Sequence, residues 1–441
     1  MYPAFFRYFA LSLLLFLGAY IWGASTFELG VFPYRIMQDA WKFYKGADSE
    51  TDSLSDKLIN DFQLRPKRFV YNYGLNDAQR NYPELSVEDL KGSRDRPRMF
   101  LSKKAPRGFR MIFGAFDFEQ TLWGALLIGP DGKLLKQWTL STDDLPQSTE
   151  PSYRKNMYGI DVRPDGSILF LMQEAGGGIV SVDWCGRRNW VLDGTFHHAI
   201  SPDDSDMFWT FEGSQRAFDH ILAKVDAKTG KIVKKINMAD VRRANPNIHI
   251  FDLQEEKTQT NKVHGNDIEP LRRRVAGFFP QFEQGDLLIS FRTINLLFVL
   301  DPDTLHIKWW RIGPWDRQHD PDWEKDGTIT VFSNNARGVG NYSNIVSVSP
   351  QDFKSRLILK GEKYNFFSRI NGKHQITPSG SILVTSATQG RVFEVDANGD
   401  IVFDFVNVYS AADNETLHLS EAFFLPLDYF EFDPKSSCPG S

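Results

Sequence analysis

Beyond residue 108, apolar and polar positions alternate in pairs of short segments that are joined by turn residues. In GALLIGPDGKLLKQW at 124–138, for example, two alternating segments flank a Pro-Asp-Gly turn. Alternation around such a turn is a strong short-range signal for a β-hairpin. The same pattern recurs at 177–192, 220–236, 295–312, 343–359 and 390–406. The chain is therefore expected to contain a series of β-hairpins.

Short apolar segments, several of which begin at a glycine, precede most of these hairpins. They lie at 166–173, 206–213, 285–292, 327–334 and 380–387. Together the two kinds of segment give about four strands per repeat and six repeats, which is typical of a β-propeller, because one small sheet cannot bury both faces alone whereas a closed ring of sheets can. We therefore predict an all-β, six-bladed β-propeller in which residues 419–432 supply a closing strand to the first blade. A two-layer sandwich and two separate β-domains are the alternatives.

The N-terminus predicts a membrane anchor over residues 1–27. Arg7 is followed by 20 uncharged, mostly apolar residues at 8–27, enough to cross a bilayer as a helix. Cleavage as a signal peptide after the small residues at 23–25, and a buried core helix, are the alternatives. With an anchor in place, the rest of the chain is expected in the periplasm or outside the cell.

The repeats set the other predicted boundaries. Residues 28–108 show no repeat and are predicted to form a short mixed extension, a stalk and cover for the domain that follows. The propeller is expected over 109–432, and a C-terminal tail over 433–441.

Charge and cysteine content exclude several classes of protein. The 441 residues include 51 Lys and Arg against 56 Asp and Glu, a formal charge of −5, which provides no basic field for nucleic acid. The two cysteines, Cys185 and Cys438, exclude a disulfide scaffold and a cysteine-rich metal site. One disulfide and two free thiols both stay open, and so does assembly as a homo-oligomer.

Histidines recur at one position of the repeat. His264, His319 and His374 are spaced by 55 residues, and each precedes a glycine-led segment that we predict to be the innermost strand of its blade. His197 and His198 take the same place in another repeat. Because innermost strands line the channel of a propeller, imidazoles from several blades are expected to meet at its mouth. They could be structural, bind a metal ion, or bind an anion.

Two further residues favour an anion. Side chains alternate along an extended segment, so His264 and Asn266 are expected on one face, as a pair of donors. Arg292 ends the segment 285–292, and its guanidinium matches a tetrahedral oxyanion such as sulfate or phosphate. An exposed charge at a strand end is the alternative for Arg292. Motifs for a zinc protease or a nucleotide-binding loop do not occur in the sequence.

The sequence resembles the bacterial arylsulfotransferases that work without PAPS, a family of six-bladed propellers. The matching stretches are FHHAISPDDS (196–205), VHGNDIEPL (263–271), LLISFRTINLLFVLD (287–301), RQHDPDW with DGTITVFSNN (317–335) and the segment 372–407. The resemblance implies that a histidine takes a sulfuryl group from an aryl sulfate and passes it to a phenol. It implies no cofactor and no metal ion.

The resemblance also assigns roles. It places the nucleophile on His319. The residues that hold the sulfuryl oxygens map to His197, His198, His264, Asn266 and Arg292. Such donors are expected to stabilise the charge on the transferring group, and a protonated neighbouring His is expected to give a proton to the leaving phenolate. Tyr158 departs from the pattern, since many relatives have a polar residue or a His there.

The expected partners are therefore a small aryl sulfate, a phenolic acceptor and, through the N-terminal helix, a membrane. Nucleic acid is not expected. Two other functions stay open on the same residues: a metal-dependent propeller hydrolase or lactonase, and a non-catalytic propeller that binds a partner at the cell surface. The natural donor and acceptor do not follow from the sequence.

Overall fold

A computed structural model of the chain describes residues 69–85, 95–116, 122–145, 148, 155–173, 177–214, 220–251, 263–335, 340, 342–436 and 438. All of them belong to one unit, Arg68–Ser441. The predicted anchor at 1–27 lies outside the described residues, so it stays a prediction. Within the described ranges, no helix has both the length and the apolar character needed to span a membrane.

Strands make up most of the regular structure. The first fourteen in chain order are β1 Val70–Asn72, β2 Arg98–Leu101, β3 Phe109–Ala115, β4 Trp123–Ile128, β5 Leu134–Thr139, β6 Asn156–Val162, β7 Ile168–Gln173, β8 Ile179–Val182, β9 Arg188–Leu192, β10 Phe196–Pro202, β11 Met207–Glu212, β12 Ile221–Asp226, β13 Ile232–Asn237 and β14 Gly265–Pro270. The others are β15 Leu287–Phe291, β16 Leu296–Leu300, β17 Ile307–Ile312, β18 His319–Trp323, β19 Ile329–Ser333, β20 Asn344–Val348, β21 Ser355–Lys360, β22 Lys373–Ile376, β23 Ile382–Ser386, β24 Arg391–Val395, β25 Ile401–Val406, β26 Val408–Ser410, β27 Glu415–Leu417 and β28 Leu419–Leu425. The helices are short: α1 Asp77–Arg80, α2 Met238–Ala244, α3 Arg273–Ala276, α4 Gly361–Tyr364 and a 3₁₀ turn at Ala387–Gln389.

Six antiparallel sheets, which we call blades 1 to 6, form a ring. Blade 1 has the order β28-β3-β4-β5, blades 2 to 5 are β6–β9, β10–β13, β14–β17 and β18–β21, and blade 6 is β22–β25 with β2 on its outer edge. Strands β6, β10, β14, β18, β22 and β28 contact one another in this order, and β28 contacts β6, so these innermost strands close the ring. The prediction of an all-β, propeller-like fold is confirmed. A separate three-stranded sheet has the order β1-β27-β26.

The end of the chain closes the ring. Strand β28 pairs antiparallel with β3, from Leu419 opposite Gly114 to Leu425 opposite Phe109, as the sequence predicts. A buried ion pair then joins blade 1 to blade 6, because Arg110 Nη2 lies 2.5 Å from Glu394 Oε2 and both side chains are at most 1% exposed. First and last blades are therefore fastened by both strand pairing and charge.

The second strand of each blade is buried on both faces. In β15, residues 287–289 have no exposed surface although they point alternately to opposite sides. Each sheet is packed between two neighbours, so both faces are apolar, as in a fully covered sheet. This explains why the glycine-led segments read as continuous apolar runs.

Aspartates at the hairpin turns have a structural role. Asp183 and Asp396 each accept hydrogen bonds at one carboxylate oxygen from two backbone N–H groups of the following turn, at 2.8–2.9 Å. Asp226 and Asp301 do the same in blades 3 and 4. Aspartate side chains that accept such hydrogen bonds stabilise the turn, as a backbone–backbone hydrogen bond would. These acids are therefore not candidates for chemistry.

The C-terminal tail is fastened to blade 2. Cys438 forms a disulfide with Cys185, which decides between the two alternatives that the sequence leaves open. The N–H of Glu431 donates to the carbonyl of Pro164 at 2.9 Å, and the Tyr429 hydroxyl donates to the carbonyl of Val162. The end of the chain thus lies against the turn between β6 and β7 of blade 2.

The prediction of which strand is innermost is wrong. The glycine-led segments form β7, β11, β15, β19 and β23, which are the second strands of their blades. The innermost strands are the segments before them, which contain the histidines or start just after them. Their polar residues and irregular pairing conceal the alternation by which a strand is recognised in a sequence.

Candidate active site

Five of the six innermost strands are irregular at corresponding places. Their pairing shifts register between Tyr158 and Ile160, His197 and Ser201, Gly265 and Asp267, His319 and Asp322, and Leu419 and Glu421. A bulge places extra residues in one strand and re-aims its side chains, which is why bulges are frequent beside active sites. The sixth strand, β22, pairs without a shift.

Several residues at these irregularities have left-handed backbone conformations. The φ angle is +66° at His198, +53° at Asp320, +50° at His264 and +47° at Gly159. Side chains other than glycine rarely adopt such angles, and residues that do so cluster at functional sites. The simple alternation that would place His264 and Asn266 on one face is broken here, so that expectation is wrong: Asn266 is the inserted residue.

Residues from all six blades line one small cavity in the channel. Of the predicted site residues, His198, Asn266 and His319 line it. The volume open to the centres of water-sized groups is about 20 Å³, room for one or two of them. The sequence-based prediction missed the other polar side chains in its wall, namely Tyr158, Asp267, Asn371, Lys373, Ser420 and Glu421.

His319 has an unprotonated nitrogen at this site. Its Nδ1 lies 2.7 Å from Oδ1 of Asn334. The Nδ2 group of Asn334 donates to the carbonyls of Ser368 and Asn371, at 2.8 and 2.6 Å, so Oδ1 is the atom that faces the ring. Nδ1 of His319 therefore carries a proton and donates it, and Nε2 keeps its lone pair. Nε2 is buried and has no hydrogen-bond partner among the described residues.

The other three predicted histidines form a hydrogen-bonded chain beside His319. Nδ1 of His198 lies 2.9 Å from Nδ1 of His197, and Nε2 of His198 lies 3.3 Å from Nε2 of His264. The ring of Tyr158 stacks on His198, with 5.4 Å between centroids and 2° between planes. His198 is thus fixed on three sides, and it is the member of the chain that reaches the cavity.

Burial keeps these imidazoles neutral. Burial, and then the positive charge of Arg292, lower the pKa of His319 to about 3. Burial is also the main cause that lowers the pKa of His197, His198 and His264. The expected protonated histidine that would serve a leaving phenolate is therefore not present at neutral pH.

Arg292 follows β15, the second strand of blade 4, and not an innermost strand as predicted. Its charge nevertheless acts on His198, His264 and His319, whose pKa values it lowers. Burial, and then the charge of Arg317, lower the pKa of Arg292 to about 10, so it stays a cation at neutral pH. Its Nε has no hydrogen-bond partner within the described part of the chain. A buried cation of this kind favours an anionic ligand.

One of the two amide N–H groups of Asn266 donates a hydrogen bond within the protein. Its Nδ2 donates to the carbonyl of Gln318 at 2.8 Å, which links blade 4 to the segment that leads into His319. Since an amide nitrogen has two N–H groups, the second is left for a bound oxyanion. The donor role expected from the sequence stays a prediction.

On another side of the cavity, two aspartates form ion pairs with a lysine. Nζ of Lys373 lies 3.2 Å from Asp267 and 2.9 Å from Asp320. Burial alone would raise the pKa of Asp320, but the charge of Lys373 and hydrogen bonds from His374 outweigh it and lower the pKa to about 2. Lys373 thereby pairs with carboxylates on the side of the cavity away from the neutral histidines and Arg292.

His374 occupies the predicted repeat position but does not reach the cavity. Its Nδ1 and backbone N–H both bond Oδ2 of Asp320, at 2.8 and 2.5 Å, and its Nε2 lies 2.8 Å from the Thr330 hydroxyl. Asp320, Asp322 and His374 are close enough together to hold a metal ion. Both ring nitrogens of His374 are engaged, however, so this group gives no specific support to the metal-dependent alternative.

Comparison with solved structures finds only weak likenesses. A protein of unknown function from Bacteroides caccae is 11% identical, with a TM-score of 0.47, over 72% of this chain and 98% of its own. TolB from Acinetobacter baumannii is 11% identical, with a TM-score of 0.44, over 72% and 67%. Virginiamycin B lyase from Staphylococcus aureus is 11% identical, with a TM-score of 0.36, over 60% and 72%. Similarities as low as these support no conclusion about the function of this chain.

Comparison with protein families is decisive. No curated protein matches the chain. A family model described as arylsulfotransferase (ASST) matches residues 149–408, which include His319 and the other predicted site residues. Because the matched residues are more than half of the 441, the chain belongs to the arylsulfotransferase (ASST) family, as its resemblance predicts.

Proposed function

We propose that this protein transfers a sulfuryl group from an aryl sulfate to a phenol, without PAPS, through a sulfo-histidine on His319. The observation that carries the proposal is the lone pair on His319 Nε2, which is buried, unpartnered among the described residues and fixed by Asn334. A nucleophile needs a free electron pair, and the neutral ring supplies it well below pH 7. Family membership supports a sulfotransferase in general.

The first half-reaction forms the sulfo-enzyme. Nε2 attacks the sulfur atom, the bond from sulfur to the aryl oxygen breaks, and its electron pair leaves with that oxygen. Negative charge on the three sulfuryl oxygens is stabilised by the Arg292 guanidinium and the second N–H of Asn266, each worth on the order of 10²–10³ in rate.

The second half-reaction returns the enzyme to its starting state. A phenolic acceptor replaces the released phenol, its oxygen attacks the same sulfur atom, and the electron pair of the N–S bond returns to Nε2. Donor and acceptor use the site in turn, so the kinetics are ping-pong. A small-molecule acceptor is consistent with a site at which all six blades meet.

We also propose that the protein acts outside the cytoplasm, anchored by its N-terminal segment. The disulfide between Cys185 and Cys438 supports this, because disulfides persist in oxidising compartments.

The test uses full-length protein with p-nitrophenyl sulfate, with and without added phenol. Nitrophenolate release that depends on phenol, together with an intact-protein mass increase of one SO₃ group in its absence, is expected. His319→Gln should abolish both. His306→Gln, at an exposed turn residue, is the matched control and should change neither. Release that persists in His319→Gln would refute the sulfo-histidine mechanism.

A further inference from the structure

None of the predicted site residues supplies a proton for the leaving group. A leaving phenolate without activating substituents has a conjugate acid of pKa about 10, as tyrosine does, so it leaves slowly unless it is protonated as it departs. The four predicted histidines are neutral, because burial lowers the pKa of each. The donor must therefore be another group in the cavity wall.

Most of the other polar groups in the wall are already engaged. The hydroxyl of Tyr158 accepts a hydrogen bond from Asn371 Nδ2 at 3.0 Å, and as a phenol it is no stronger an acid than the phenol that leaves. Lys373 is held by two carboxylates, and Asp267 is one of them. Glu421 differs, since among the described residues it forms no hydrogen bond and no ion pair, and it is only partly buried. Its carboxyl group is free to exchange a proton with a ligand.

Glu421 also lies in the wall of the same cavity. It follows Ser420, the inserted residue of β28, and both line the cavity with His319. An aryl oxygen bonded to a sulfur atom beside His319 would enter the cavity that Glu421 lines.

The surroundings of Glu421 keep its carboxyl group protonated at neutral pH. Its pKa is raised to about 8: burial is the largest cause, Lys373 opposes it, and the negative charges of Asp320, Asp267 and Glu269 add to it. A general acid is most effective when its pKa lies near the working pH. An ordinary exposed glutamate would be ionised and could not donate.

We propose that Glu421 is the general acid of the first half-reaction and the general base of the second, an inference that rests on the proposed sulfuryl transfer. As the bond from sulfur to the aryl oxygen breaks, Glu421 gives its proton to that oxygen, and a neutral phenol leaves. The acceptor phenol then gives its proton to the Glu421 carboxylate while its oxygen attacks the sulfur atom. Over one cycle Glu421 gives up one proton and regains one, while His319 takes up one sulfuryl group and passes it on.

Family membership does not imply this role. The match to the family ends at residue 408, before β28 begins. The assignment depends on the last strand of this chain and on the ring closure that brings it beside β22 and β6.

The test compares two donors with full-length protein. p-Nitrophenyl sulfate releases an anion that is stable at neutral pH and needs no acid, whereas phenyl sulfate needs one. Glu421→Gln keeps the shape of the side chain and removes the acid. We expect kcat/KM for phenyl sulfate to fall about 10²–10⁴-fold, and that for p-nitrophenyl sulfate to fall less than about tenfold. Glu431→Gln, at an exposed glutamate of the tail, should change neither.

The outcomes separate the two proposals. Wild-type protein that sulfates itself with neither donor overturns sulfuryl transfer itself. Wild-type protein that uses both donors, with Glu421→Gln lowering both equally or neither, overturns the role of Glu421 alone. A second measurement guards against misfolding: with phenyl sulfate, the wild-type rate should fall as pH rises through about 8, and this fall should be absent in Glu421→Gln. An unchanged alkaline fall in the variant would also overturn the role.

Discussion

The low pKa of His319 predicts that the proposed nucleophile stays unprotonated in mildly acidic solution. With the usual imidazole pKa of about 6.5, the neutral fraction would fall from about 76% at pH 7 to about 3% at pH 5, a loss of about 25-fold. With a pKa of about 3, the neutral fraction stays near 99% over the same range. We therefore expect kcat/KM for p-nitrophenyl sulfate to be constant from pH 7 to pH 5.

The assay measures nitrophenolate release at limiting donor, because kcat/KM reports ionisations of the free enzyme. Samples are quenched into base, so that the absorbance of the product does not depend on the reaction pH. A fall of about 25-fold with a midpoint near 6.5 would refute the argument. Arg292→Gln removes the second cause of the low pKa, so its midpoint should rise, yet stay below 6.5 because burial is the larger cause.

Folding must be checked at each pH, and the sign of the effect is known. The pKa of His319 is depressed in the folded state, so its contribution to stability is complete above about 6.5 and is lost as pH falls toward about 3. The direction is the same for His197, His198 and His264, whose pKa values burial also lowers. Circular dichroism across the pH range separates acid unfolding, which would lower the rate by loss of folded enzyme, from protonation of the nucleophile.

Three other changes test separate parts of the structure. Asn334→Leu removes the acceptor that fixes the ring of His319; kcat/KM should fall about 10–100-fold, and nitrogen NMR of labelled histidine should show both tautomers. Tyr158→Ala removes an aromatic wall and should raise KM for aryl sulfates about 2- to 13-fold, the equivalent of ~0.5–1.5 kcal/mol, whereas Tyr158→Phe should not. Arg110→Met leaves Glu394 buried without its partner and should lower the free energy of unfolding in urea by about 3–5 kcal/mol, most of which Glu394→Leu should restore in the double variant.

Local turn chemistry made most of the strands predictable. The hairpins follow from alternation around glycine and aspartate turns, and the second strands from short apolar runs, because both signals arise from neighbouring residues. The innermost strands were misplaced because their bulges break alternation. Leu419 to Leu425 was recognisable as a closing strand, since it is mostly apolar and continues the repeat.

In the candidate site, only residues at or near the recurring histidines were predictable from the sequence. His198, Asn266 and His319 line the cavity, as the resemblance and the repeat position imply. His374 shares that position yet turns toward Asp320, because β22 has no bulge to re-aim it. Glu421 was missed because the histidine that precedes its strand, His418, was not recognised as part of the pattern. A charged residue inside the apolar segment LSEAFFL was the signal that could have found it.

Closure of the ring by β28 has a consequence for biosynthesis. The ribosome makes the nucleophile in blade 5 well before it makes the strand that completes both blade 1 and the wall of the cavity. An unfinished chain thus has His319 but no sealed ring, and no Glu421 beside it. The wall around the proposed nucleophile is therefore complete only in molecules whose synthesis has passed β28.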